Sequence, residues 1–379
     1  MGRCVVAFAV FALVAFACGP QTSAPVSPAA SATAARVTSP EWDALVAAAK
    51  QEGKLVLAGP PTPETRANLP KRFKERFGIE MEYIAPGSTS DLLVKMEAER
   101  KSGLYTIDAI VGGAQSLYTV AYANKMIDPI KPILINPEAA DGSKWVGGKV
   151  WYADPEGQYI LRLSNYVTNH VVVNTSVVKV ADIKSWKDLL DPKYRGKLSF
   201  YDPTRAGTGW NTANYLLRRL GDDYIHKLYV DQQPGISADF AQIADWMARA
   251  QYPISAGLRE SEIEKLRSDG FPVEVLPSMP EAPGLTTAGF GLGVLVNRAP
   301  HPNAAKVFLN WMATREGQES WHGTERTVSI RTDVDNTKWA APYALPKPGV
   351  DYFDSYDYEF TVNSRSPAEL ERLKKLISK

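Results

Sequence analysis

Between Asp202 and Trp210 the chain reads DPTRAGTGW, and this stretch holds the residues best suited to gripping a charged group. Thr204 and Thr208 bring hydroxyls, Arg205 brings a guanidinium, and Gly207 and Gly209 let backbone approach a ligand closely. The segment from Trp210 to Leu220, WNTANYLLRRL, has helical spacing. The turn therefore feeds its amides into a helix N-terminus, where orphan N–H groups and the positive end of the dipole point the same way. That is anion-binding chemistry. The same turn also reads as an ordinary strand-to-helix connection that uses glycine for shape. A second charged group, Arg259-Glu260 followed by Ser261, comes directly after the apolar run YPISAGL at 252–258.

Other chemistries lack their residues. His170, His226, His301 and His322 are scattered, with no two on one helical turn, which argues against a zinc site. There is no G-x-S-x-G elbow, P-loop or dinucleotide fingerprint, and Gly207-Thr208-Gly209 lacks the lysine of a Walker loop. Acidic residues are plentiful, so a carboxylate pair for hydrolysis stays open, although nothing requires one. The chain reads as a binding protein and not an enzyme, with no cofactor and no metal.

The elements that position these residues alternate. Ser39-Pro40 starts a first helix, Gly53 ends it, and KLVLA (54–58) is a buried strand. A helix around Leu69 to Phe77, a strand at 79–84, a helix opened by Ser88 with Asp91, and a strand at 107–111 follow. Strand and helix in this order predict an α/β fold with a mostly parallel sheet flanked by helices, and ligands bind outside the C-terminal strand ends of such sheets. The loops there carry Thr62, Ser88, Thr89, Ser90, Gln115 and Ser116. Such residues are also what turns are made of. A β-branched run at 160–174 and an apolar run at 289–297 read as crossings between two halves. His170 reads as a satisfied sheet histidine, and Trp145, Trp151 and Tyr152 as core. Ser185 with Asp188 caps a short helix that Asp191-Pro192 stops. Tyr352, Phe353, Tyr356, Tyr358 and Phe360 pack the tail down, before a last helix capped by Ser366 with Glu369.

At 379 residues the chain suits two α/β lobes, and 45% hydrophobic with 22% charged residues is a globular composition. The N-terminus reads as an export signal: Arg3, then an unbroken apolar run from Val5 to Ala17, then Cys18. Thirteen apolar residues are too few for a bilayer core, which needs roughly 20. Ala15-Phe16-Ala17-Cys18 is similar to a lipobox, and acylation would consume the lone cysteine left after cleavage. Residues 18–38, rich in Pro, Ser, Ala and Thr, read as a tether. Arg3 accounts for the formal net charge of +1, so the exported chain is neutral, which argues against nucleic acid as a partner.

DLLDPKYRGKLSFYDPTRAGTGW, at 188–210, resembles the middle of bacterial extracellular solute-binding proteins of the iron and small-ligand type (family 1), the ligand receptors of ABC importers. In that family a D-P-K-Y-[KR]-G-K run precedes a P-T-x-x-G anion turn at the cleft, and weaker similarity here runs from about Glu41 to Trp321. The resemblance implies a two-lobe periplasmic-binding-protein-like fold with the ligand cleft between the lobes. The divisions would be a signal at 1–17, a lipid-anchored linker at 18–38, lobe 1 at 39–165 rejoined by 298–350, lobe 2 at 166–297, and a tail at 351–379. It also implies a monomer, exported and held on the outer face of the cytoplasmic membrane or in the periplasm, that hands its ligand to a permease. Ferric members place adjacent tyrosines after the strand at 252–258; here Glu260 and Ser261 stand there, preceded by Arg259. The expected ligand is a small anionic or zwitterionic solute held by Thr204, Arg205, Gly207, Thr208, Gly209 and Arg259, with Glu260 for an amine and Thr62, Ser88, Thr89 and Gln115 across the cleft. A ferric-iron or iron-chelate receptor and a cell-surface hydrolase or lyase are the alternatives.

Overall fold

The structure is a computed structural model that describes residues 38–86, 88–205, 207–364 and 366–378. The expectations for the signal segment, Cys18 and most of the tether lie outside those residues. No described helix is long and apolar enough to cross a membrane.

The first lobe opens with strands β1 (Lys54–Ala58), β2 (Glu80–Ile84), β3 (Ala109–Gly112), β4 (Ile127–Asp128) and β5 (Leu161–Arg162). Next come β6 (Tyr166–Thr168) and β7 (Val172–Asn174), then β8 (Leu198–Tyr201), β9 (Gly235–Ser237), β10 (Ile254–Ser255) and β11 (Val273–Val275). The last three are β12 (Leu285–Thr287), β13 (Leu292–Val296) and β14 (Phe353–Asp354). One sheet has the order β2-β1-β3-β13-β4 with β5 also on β13, a second has β11-β7-β10-β8-β9, and a third joins β14, β12 and β6.

Pairing is parallel for β1 with β2 and β3, and for β8 with β9 and β10. These strands therefore end at one edge of their sheet, and their following loops gather there. Strand β13 runs antiparallel to β3, β4 and β5, because it arrives from the other lobe. The crossing expected at 289–297 thus lies slightly earlier in the chain. Leu285–Thr287 pairs antiparallel with Tyr166–Thr168, while Leu292–Val296 is fully buried inside the first sheet. Both runs are apolar enough for a strand, and only the pairing partner tells them apart.

The helices form where local signals put them. Ser39 caps Pro40–Glu52, Ser88 caps Thr89–Lys101 and Ser366 caps Pro367–Ile377 through their hydroxyls. Gly53 and Gly78 close helices at φ 70° and 71°, which suits glycine alone without strain. The Ser185–Asp188 capping box is present on a short 3₁₀ helix, Trp186–Leu190. In the first lobe, helices Pro63–Phe77 and Pro302–Met312 interlock through Phe73, Phe77, Phe308 and Trp311, with ring centroids 5.1–6.3 Å apart. Trp145 is in this core, and Trp151 and Tyr152 pack against it.

His170 departs from its expected place. It lies in the turn after β6, where Asn169 has φ 59°, and its Nε2 is 3.1 Å from the Val167 carbonyl oxygen. The tail aromatics do pack it down: Tyr358 meets Tyr118 at 5.2 Å and Phe353 meets Phe360 at 4.7 Å. The tail touches both lobes. Helix Tyr358–Asn363 packs on the first, and helix Pro367–Ile377 sends Leu373 into the core of the second.

Candidate functional site

Two glycines bring the second lobe's strand-end loops together. A Cβ on Gly209 would lie 2.1 Å from the Asp202 carbonyl oxygen, and one on Gly257 would lie 2.4 Å from the Tyr201 nitrogen. The end of β8 is therefore gripped from both sides, by the entry to helix Thr208–Leu220 and by the loop leading to helix Glu260–Ser268. Gly207, at φ 91°, sets the angle of entry.

The turn between them carries its own anion. Asp202 Oδ1 accepts the Thr204 N–H at 2.8 Å and the Thr204 hydroxyl at 2.7 Å, and Arg205 Nε is 3.9 Å from Asp202 Oδ2. Thr208's carbonyl accepts the Thr212 hydroxyl at 2.8 Å. In the first lobe Ser88 is spent on its helix cap, Thr89 fills the space left by Gly112, and the Ser90 and Ser116 hydroxyls bond at 2.6 Å. The Gln115 carbonyl accepts the Thr119 hydroxyl.

Beside these loops, a cleft of about 1110 Å³ separates the lobes. Of the residues singled out in the sequence, Thr62, Arg259 and Glu260 line it; 204–209, 88–89 and 115 do not lie among its described lining. Tyr166 from the crossing strand and Phe290, still 45% exposed, form its back. Arg259 lays its guanidinium 4.0 Å above the Phe240 ring, which stacks on Tyr201 at 4.2 Å. Its hydrogen bonds to Glu262, at 2.6 and 3.0 Å, hold its pKa above the usual value.

Glu260 differs. Its Oε1 is sealed from solvent and has no hydrogen-bond partner, while the side chain as a whole keeps 26% exposure to the cleft. His170 Nε2 is 3.8 Å away, too far for a hydrogen bond. Burial lowers the His170 pKa to about 4, so the ring is neutral near pH 7 and supplies no charge. Burial likewise pushes the Glu260 carboxyl up, partly opposed by its own backbone N–H and the Thr168 hydroxyl.

Glu325 was missed in the sequence. It ends helix Arg315–Glu325, lines the cleft, and accepts the Thr62 hydroxyl at 3.2 Å and the Thr65 hydroxyl. Thr62 is the N-cap of helix Pro63–Phe77 but makes no cap bond of its own. Its hydroxyl donates instead to Glu325, 263 residues away in the chain, so no local signal marks this acid. Burial raises the Glu325 carboxyl as well. Among the described residues no group of three or more His, Cys, Asp or Glu is arranged to hold a metal ion.

Comparison with known proteins places this geometry. A family model described as bacterial extracellular solute-binding protein matches residues 68–347. An uncharacterized protein of Haemophilus influenzae is 24% identical over 331 residues, covering 83% of this chain and 88% of its own. Two solved structures share the fold. The periplasmic binding protein AfuA of Actinobacillus pleuropneumoniae, with fructose-6-phosphate bound, has a TM-score of 0.57 at 20% identity, over 86% of this chain and 96% of its own. Iron-bound HitA of Pseudomonas aeruginosa has a TM-score of 0.63 at 15% identity, over 85% and 99%. The two-lobe α/β architecture is thus that of periplasmic binding proteins.

Proposed function

We propose, from the premise that this chain belongs to the bacterial extracellular solute-binding proteins, that it is the receptor of an ABC importer and captures a small zwitterionic solute between its lobes. The fold alone does not choose the ligand, since one structure that shares it carries a sugar phosphate and another carries iron. The choice rests on one observation: the unpaired Oε1 of Glu260, a partly exposed side chain that lines the cleft beside Arg259. An unpaired buried carboxylate is costly, and an ammonium ion supplies what it lacks. Arg259 lines the same cleft and would take the acidic end. Of the anionic and zwitterionic solutes, the zwitterionic one fits this pair of charges. The lobes close on it about the β6–β12 crossing and deliver it to a membrane permease.

Native mass spectrometry of gently purified protein tests the reading. The expected result is one retained small solute per chain, or saturable 1:1 binding of an added zwitterion without turnover. A red-brown ferric complex, or catalytic conversion of the solute, would sink it.

The receptor is further proposed to be exported and anchored through an acylated Cys18. Wild type is expected in the membrane fraction and Cys18→Ser in the soluble fraction. Equal partition of the two would remove the anchor.

A further inference from the structure

The solute-receptor reading leaves open which end of the ligand decides recognition. Resting on that reading, we infer that the ligand's cationic group is held between Glu260 and Glu325, one carboxylate from each lobe. The receptor then selects amine- or guanidine-bearing solutes and rejects amine-free anions.

The first ground is the position of the two acids. Glu260 opens helix Glu260–Ser268 of the second lobe, and Glu325 ends helix Arg315–Glu325 of the first; both line the same cleft. Tyr166, on the crossing strand, feels both charges, and burial with these two acids drives its phenol well above its ordinary value. Glu325 is fixed in place by the Thr62 and Thr65 hydroxyls, yet a carboxylate accepts about four hydrogen bonds, so it keeps room for a ligand N–H. Glu260 has an unpaired Oε1, and its side chain keeps 26% exposure to the cleft.

The second ground is what the helix N-termini hold. Such ends attract ligand anions when they are free. Two of the cleft's helix starts already have a carboxylate of the protein: Glu325 accepts the Thr62 and Thr65 hydroxyls at the start of helix Pro63–Phe77, and Glu260 stands in the first turn of helix Glu260–Ser268. The cations of the lining are committed or peripheral. Arg259 is bound to Glu262 and Lys265 to Asp269 at 2.8 Å, while Arg72, Arg326 and Lys338 are exposed. An amine-free anion entering this cleft meets the partly buried carboxylates of Glu260 and Glu325, while the lining's cations are ion-paired or exposed to screening solvent. A cation instead removes the repulsion between two like-charged lobes and joins them, which couples binding to closure.

The test is isothermal titration of the exported chain with 4-aminobutanoate, L-arginine and 1,4-diaminobutane against citrate and fructose-6-phosphate, alongside the mass of any co-purified solute. At least one amine-bearing probe, or a nitrogen-containing co-purified solute, is expected to bind, and neither amine-free anion. Glu260→Gln and Glu325→Gln should each weaken that binding by at least about 10-fold. Their double variant should lose less than the product, because one cation bridges both. Glu325→Asp keeps the charge and should weaken binding less than Glu325→Gln, with melting temperatures confirming that each variant folds. Binding of citrate or fructose-6-phosphate in preference to the amines overturns the inference and leaves the receptor reading standing. So does an amine bound as tightly by both glutamine variants as by wild type. No bound solute of any kind overturns both.

Discussion

Arg162→Ala is expected to destabilise the protein by about 3 kcal/mol and to release the C-terminal tail from the crossing sheet. Arg162 is 3% exposed on β5, yet its guanidinium serves three acceptors: the Ser164 carbonyl at 3.1 Å, Asn165 Oδ1 at 2.8 Å and the Asp354 carboxylate. It also lies 5.4 Å from the Trp151 ring and 5.9 Å from that of Tyr356. Asp354 is on β14, the tail strand that pairs with β12 beside β6. Removing the guanidinium leaves buried acceptors unpaired, which costs more than the pair itself contributes. The estimate sits at the lower end for a broken buried ion pair because Asp354 is 37% exposed and can rehydrate. Urea denaturation measures the loss, and hydrogen exchange should rise in 353–364. Arg162→Met with Asp354→Leu should recover part of the stability by removing both charges together. A midpoint unchanged in Arg162→Ala, with exchange at 353–364 as slow as in wild type, would refute the role.

Much of this fold is legible because its signals are local. A serine hydroxyl at Ser39, Ser88, Ser185 or Ser366 announces a helix to the residues just after it, and each caps one here. Parallel strands followed by polar loops likewise point to one sheet edge, and Thr62, Arg259 and Glu260 do line the cleft. What was not legible depends on distant partners. Leu285–Thr287 is a short LTT run and Leu292–Val296 a longer apolar LGVLV run, and only pairing with Tyr166–Thr168 identifies the first as the crossing. Glu325 looks like one more charge on the surface of a helix, until the fold brings it to Thr62 and Thr65. Asp202 was the more accessible omission. Asp-Pro-Thr is a known side-chain-to-backbone turn pattern, and the carboxylate that shapes the turn also occupies two of its donors.

The same turn yields the second large expectation. Gly209→Ala should cost about 2–3 kcal/mol and displace the end of β8, against which the loop carrying Arg259 and Glu260 packs through Gly257. Two effects oppose each other. Alanine favours a helix over glycine by about 1 kcal/mol, which would stabilise the first turn of Thr208–Leu220. Against it, the new methyl would sit 2.1 Å from the Asp202 carbonyl oxygen and 2.8 Å from that of Tyr201. Both are backbone atoms at the end of β8, so no flexible side chain can yield, and the steric term wins. The helix entry must move away from the strand end, taking Thr208 with it and loosening its fit to the Asp202–Thr204 turn. Gly257→Ala meets the Tyr201 nitrogen at 2.4 Å from the opposite side and should act alike, moving the loop that carries Arg259 and Glu260. Gly207→Ala provides the contrast: nothing lies within 4 Å of its Cβ, but φ 91° strains a side chain, for about 1–3 kcal/mol. Thermal melts with titration of the bound solute separate the cases. Gly257→Ala should lose affinity beyond what its stability loss explains, because it displaces the loop that carries Arg259 and Glu260, and Gly209→Ala should do so as far as its shift of the β8 end reaches that loop. A Gly209→Ala protein that melts with wild type and binds as tightly would mean that the close approach at Asp202 does not shape the site.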